Sequence, residues 1–176
     1  MNELALIVRD ICQLKRGPQD LPYWPTGLIL LLVASIVVDW CIALLTASEQ
    51  PYILVRSLFS NVFALVILYI LLSLRSLQTR FVQTAIALVA CGIVFSLLVL
   101  PIALASGKMP ATPQQLSPLQ MLLAWVTFAI IVWKFTVDGH ILRHALNIPF
   151  AAGLTIAVVW AIADLSLARL FLGAAP

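Results

Sequence analysis

The sequence predicts an all-α integral membrane protein, a five-transmembrane-helix bundle preceded by a short amphipathic interfacial helix. Three observations predict it. Of 176 residues, 63% are hydrophobic and 10% charged, against roughly 25% charged in an average soluble domain. The apolar residues gather into five runs of about 20 residues, each long enough to cross roughly 30 Å of hydrocarbon at 1.5 Å per residue. The positive charges fall mostly between these runs or near their ends, with a bias to one side. A soluble chain of this size could not hide so much apolar surface in one core, whereas a bilayer removes the need to hide it. The ten basic residues are scattered singly, with no patch or aromatic interleaving, so no nucleic-acid partner is expected.

The first element covers residues 2–15, where Leu4, Ile7, Val8, Ile11 and Leu14 recur at helical spacing among Arg9, Asp10, Gln13 and Lys15. It is too short and too charged to span. Its apolar face suits the headgroup boundary, with Arg9, Lys15 and Arg16 toward anionic lipid. Glu3, Asp10 and Asp20 interrupt any signal-peptide pattern, so insertion is expected to use the first span itself. Gly17 and Pro18 stop the helix, and residues 17–25 read as a stiff connector with Tyr23 and Trp24 as interface anchors.

The spans are expected at residues 26–46, 52–74, 82–105, 118–137 and 149–172. Connectors 48–51, 76–80 and 138–147 are short, and only 106–117, with two prolines, makes a longer loop. With the N-terminus inside, Arg9, Lys15, Arg16, Arg75, Arg80, Lys134 and Arg143 are cytoplasmic, while Arg56, Lys108 and Arg169 are outside. That split predicts an N-in, C-out protein.

The residues that stand out are polar ones inside the runs: Asp39, Asn61 and Asp164, with Ser96 and Thr127 as milder members. An isolated carboxylate in hydrocarbon costs at least a few kcal/mol, so each should be partnered, protonated or near water. All five lie about 12 to 14 Å from the predicted outer helix ends, so they can form one polar layer. One reading is a proton or cation site with Asp39 and Asp164 titrating and Arg56 or Arg169 as counter-charges. The other, which the sequence favours, is an interhelical hydrogen-bond layer that fixes packing. A conducting path needs polar groups at other depths, and the inner helix halves offer few.

His140 and His144 are four apart and would share a helix face, the spacing of a metal pair, with Asp138 as a third candidate ligand. The His-Glu-x-x-His pattern is absent, so solvated His and Arg heads on an interfacial helix are expected, and neither a metal nor another cofactor. Cys12, Cys41 and Cys91 have no paired spacing; the two within apolar runs read as small core residues. Ala85, Gly92 and Gly153 permit close helix approach, and Pro101 should kink the third span. No phosphate loop, nucleophile elbow or paired catalytic carboxylates occur, so no enzyme is expected.

The organisation resembles the Yip1-type five-span membrane family. Asp20-Leu21-Pro22-Tyr23-Trp24-Pro25 occupies the place of that family's Asp-Leu-Tyr-Gly-Pro stretch without its Gly-Pro order. Residues 92–101, ending in Leu100-Pro101, resemble in spacing its glycine-started stretch that ends in Ile-Pro. The resemblance implies a non-enzymatic protein of a bacterial plasma or inner membrane that binds or helps assemble other membrane proteins or copies of itself. The N-terminal helix and connector would then be its contact surface. The alternative is a small proton- or ion-coupled carrier using Asp39 and Asp164. An interfacial enzyme acting on lipid through His140, His144 and Asp138 comes third.

Overall fold

The computed structural model describes residues 2–46, 52–107 and 117–172. Among them there is no strand, and six helices account for almost all of the chain: α1 (Asn2–Cys12), α2 (Pro25–Leu45), α3 (Ile53–Leu74), α4 (Phe81–Ser106), α5 (Pro118–Leu146) and α6 (Phe150–Leu172). Short 3-10 turns, Pro18–Asp20 and Gln78–Arg80, lead into α2 and α4. The connector 48–51, the loop 108–116 and Lys108 lie outside the described residues.

Five helices, α2 to α6, are long and apolar enough to cross a membrane. Their surface fits that solvent. Large apolar side chains such as Leu30, Val33, Val62, Leu122, Trp125, Val159 and Ile162 stand exposed all around the bundle, a surface that water would not tolerate and lipid does. Local chemistry sets the helix ends. Pro25 and Pro118 occupy first-turn positions where the missing N–H costs nothing. Ser117 and Gln120 form a reciprocal capping box at the start of α5. Asn147 ends α5 in the left-handed conformation at φ 53°.

The helices close into a ring in the order α2, α4, α5, α6, α3 and back to α2. The starts of α2, α4 and α6 and the ends of α3 and α5 share one end, here the near end. Arg80 Nη1 ties that end together by donating to the His144 carbonyl and to Asn147 Oδ1, each at 3.1 Å. At the far end Gln120 Nε2 donates to the Ser106 carbonyl at 3.0 Å. α4 is buried on the most sides: Ala85, Ile86, Ala87, Ala90, Cys91 and Phe95 all sit in the core, because α1 covers the face that the ring leaves open.

That cover is a finding the sequence did not reveal. Val8, Ile11 and Cys12 of the amphipathic stripe are buried against α4 and α5. The connector is stitched in as well. Trp133 Nε1 donates to the Cys12 carbonyl (3.0 Å), His140 Nε2 to that of Arg16 (3.0 Å) and Gln83 Nε2 to that of Leu21 (2.6 Å). Arg9, Lys15, Arg16, Tyr23 and Trp24 remain exposed.

One boundary needs correction. The fourth span does not stop at residue 137; α5 runs unbroken for 29 residues to Leu146, about 43 Å of helix. The expected connector 138–147 is helix up to Leu146. Gly139 does not break it because α6 crosses there, and the missing Cβ admits the α6 backbone at Leu154.

Candidate functional site: a polar cavity inside the helix ring

All five long helices line a partly open cavity of about 350 Å³. α2 supplies Ser35 and Asp39, α3 supplies Ser57, Ser60 and Asn61, α4 supplies Gly92 and Ser96, α5 supplies Lys134 and Asp138, and α6 supplies Trp160 and Asp164. Helical geometry explains the α3 wall. Ser57, Ser60, Asn61 and Ala64 are spaced i, i+3, i+4, i+7, so they form one stripe, and that stripe faces inward.

This stripe joins the two carboxylates. Ser57 Oγ donates to Asp39 Oδ2 (2.5 Å) on one side, and Ser60 Oγ donates to Asp164 Oδ2 (3.0 Å) on the other. Asn61 Nδ2 donates to the Ser57 carbonyl (2.9 Å), and its Oδ1 accepts from Ser35 Oγ at 3.3 Å. Asp164 Oδ1 is buried with no hydrogen-bond partner. A buried acceptor left unmade costs about 1–3 kcal/mol, more when charged, so this oxygen is where the site lacks a donor.

Polar groups also line the cavity nearer the near end. Lys134 Nζ pairs with Asp138 Oδ2 at 2.5 Å, one helical turn apart. The sequence reading put Lys134 at a cytoplasmic helix end, but with α5 extended it lies well inside the helix. Counted from the Gly139–Gly153 crossing, Lys134 is about 8 Å and Asp164 about 16 Å along the helix axes. A second cavity of about 350 Å³ carries the polar lining toward the far end, past Asp39, Ser57 and Ser60 to Arg56 and Thr46. The polar surface thus runs from Asp138 through the main cavity to Arg56 at the seam between α2 and α3.

Other candidates fall elsewhere. Arg56 lines the far cavity but forms no ion pair with Asp39, and Arg169 lines neither cavity. Among the described residues the ion pairs are Arg9–Asp10, Arg16–Asp10 and Lys134–Asp138. Five residues beyond Asp164, Arg169 is turned about 140° around α6, so it cannot be that carboxylate's counter-charge. Thr127 donates to the Leu123 carbonyl of its own helix (2.9 Å) and is outside the layer, whereas Ser96 lines the cavity. Gly92 is not a packing contact: a Cβ there meets nothing within 4 Å, because it borders the cavity. His140 and His144 stack edge to face at 4.5 Å in the α5 extension, with His140 committed to Arg16. Among the described residues no group of three or more metal-ligating side chains forms.

The lining carries three carboxylates and one ammonium, so it is net acidic. Such a lining can hold a proton or a cation. Comparison with known proteins adds nothing to this: no family model, no curated protein and no solved structure matches the chain. The reading of function therefore rests on the geometry of the cavity.

Proposed function

We propose that the chain is a small membrane carrier that takes up a proton or a small cation at Asp39 and Asp164 inside the helix ring. The observation that carries the reading is the unpartnered Asp164 Oδ1 beside a cavity whose polar lining continues to Lys134–Asp138 in one direction and Arg56 in the other. A carboxylate held by one serine in an apolar bundle has an acceptor to spare, which a proton or a cation would satisfy. The polar groups at several depths supply what the sequence reading found missing for a pathway.

In this reading the protein sits in the plasma or inner membrane of a bacterial cell, with the near end cytoplasmic and the C-terminus outside. With Lys134 inside the ring, six of the other nine basic residues remain on the cytoplasmic side, which keeps the positive-inside bias. α1 lies at that boundary with Arg9, Lys15 and Arg16 outward. The alternative, a Yip1-type assembly role through the N-terminal segment, is weaker. The apolar stripe it would offer a partner is already spent on α4 and α5.

The test is flux. Purified protein is reconstituted into liposomes loaded with a pH-sensitive dye, and proton movement is followed after a pH jump with sodium, potassium or methylammonium outside. The wild type should move protons or exchange them for one of these cations, and Asp39→Asn and Asp164→Asn should each slow this by about tenfold or more while remaining folded. Flux no greater than in protein-free liposomes, or unchanged by both substitutions, would refute the carrier.

A further inference from the structure

The inference rests on the carrier reading and names the class of its solute. The geometry points to a protonated organic amine as the occupant of the main cavity, its N–H donating to the Asp164 carboxylate and its carbon body lying against Trp160.

Four observations converge on that class. The first is charge. Lys134 already neutralises Asp138, whereas Asp39 and Asp164 have only the hydroxyls of Ser57 and Ser60, so the missing charge is positive. The second is the donor. The Asp164 carboxylate has Ser60 as its single donor, with Oδ1 buried and unpartnered, and an N–H adds a donor to the group where a quaternary ammonium cannot. The third is the aromatic wall. Trp160 precedes Asp164 by one helical turn and lines the same cavity, as does Phe135, so a cation at the carboxylate comes within reach of an indole face. The fourth is size. A volume of about 350 Å³ lies at the small end of organic-ligand pockets and has room for roughly ten waters. A bare metal ion would leave the apolar walls against water, whereas an amine with one ring or a short chain covers them.

Binding to the full chain in nanodiscs, followed by titration calorimetry, tests this with four probes: phenethylammonium, its N,N,N-trimethyl analogue, 2-phenylethanol and sodium chloride. Phenethylammonium should bind, with the alcohol and the quaternary analogue weaker by about tenfold or more, the cost of a lost charged hydrogen bond. Asp164→Asn should weaken it similarly, and Trp160→Ala should weaken it while Trp160→Phe largely restores it. The comparison of ligands is made on the wild type, so a variant that misfolds does not spoil it. Equal binding of alcohol and amine, or amine binding indifferent to Asp164, overturns the inference. If no amine binds yet Asp164-dependent flux of protons or sodium persists, the amine is wrong and the carrier stands. Neither binding nor flux overturns both.

Discussion

Gly139 and Gly153 meet backbone to backbone where α5 crosses α6. A Cβ on Gly153 would stand 2.5 Å from the Gly139 carbonyl oxygen, and one on Gly139 would stand 2.9 Å from the Cα of Leu154. Both obstructions are backbone, which cannot swing aside. Gly153→Ala should therefore destabilise the bundle by about 1–3 kcal/mol, as overpacking does, read as a lower detergent-unfolding midpoint. Gly92→Ala, which meets nothing, should leave that midpoint unchanged or raise it. Equal effects would mean that the α5–α6 crossing is looser than described.

The two thiols of Cys12 and Cys91 are 3.4 Å apart, both buried, and 79 residues apart in sequence. The neighbouring Cys91 S–H, donating to a Cys12 thiolate, holds the Cys12 thiol below its ordinary value. Mild copper–phenanthroline oxidation, with oxygen taking up the two electrons and two protons, should join them within one chain. Peptide mass mapping should find the Cys12–Cys91 pair and no link to Cys41, which is exposed on α2. Failure to crosslink, or a link to Cys41 instead, would show that α1 does not pack on α4 as described.

The Lys134–Asp138 pair is half open to its surroundings, with side chains 42% and 14% exposed. Lys134→Ala should cost about 1–2 kcal/mol, between the values for exposed and buried pairs, because it leaves Asp138 without a partner. Adding Asp138→Asn should recover most of the loss. A double variant as unstable as the single one would show that Lys134 acts through packing.

Gly92→Leu places an isobutyl group in the cavity without removing any polar atom. It should abolish flux or amine binding while the protein still elutes as a single folded species. Retained function would move the pathway elsewhere.

Legibility in the sequence followed the kind of interaction involved. The five spans were readable because length, apolarity and the Pro25, Ser117–Pro118 and Asn147 punctuation are local properties. The length of α5 was misread because Asp138, His140 and Arg143 lower its hydropathy without breaking its helix. Asp39, Asn61 and Asp164 stood out as polar atoms in apolar runs, and the cavity does collect them. The place of Lys134 depends on the α5 boundary, and Ser57 and Ser60, although spaced helically with Asn61, are too weakly polar to stand out in an apolar run. The Cys12–Cys91 contact and the burial of α1 depend on residues far apart in the chain, for which one sequence has no local signal.

The most direct test of the account is whether water reaches the middle of the ring. In a background with Cys12, Cys41 and Cys91 replaced by alanine, Ser60→Cys and Val62→Cys are each exposed to a charged, water-borne methanethiosulfonate reagent in intact membranes. Ser60 lines both cavities, whereas Val62, two positions on, is half exposed on the outer face of α3. The account predicts modification at position 60 and little at position 62, where lipid excludes the reagent and keeps the thiol protonated. Modification at 62 alone, or at neither, would contradict an aqueous cavity between Asp39 and Asp164.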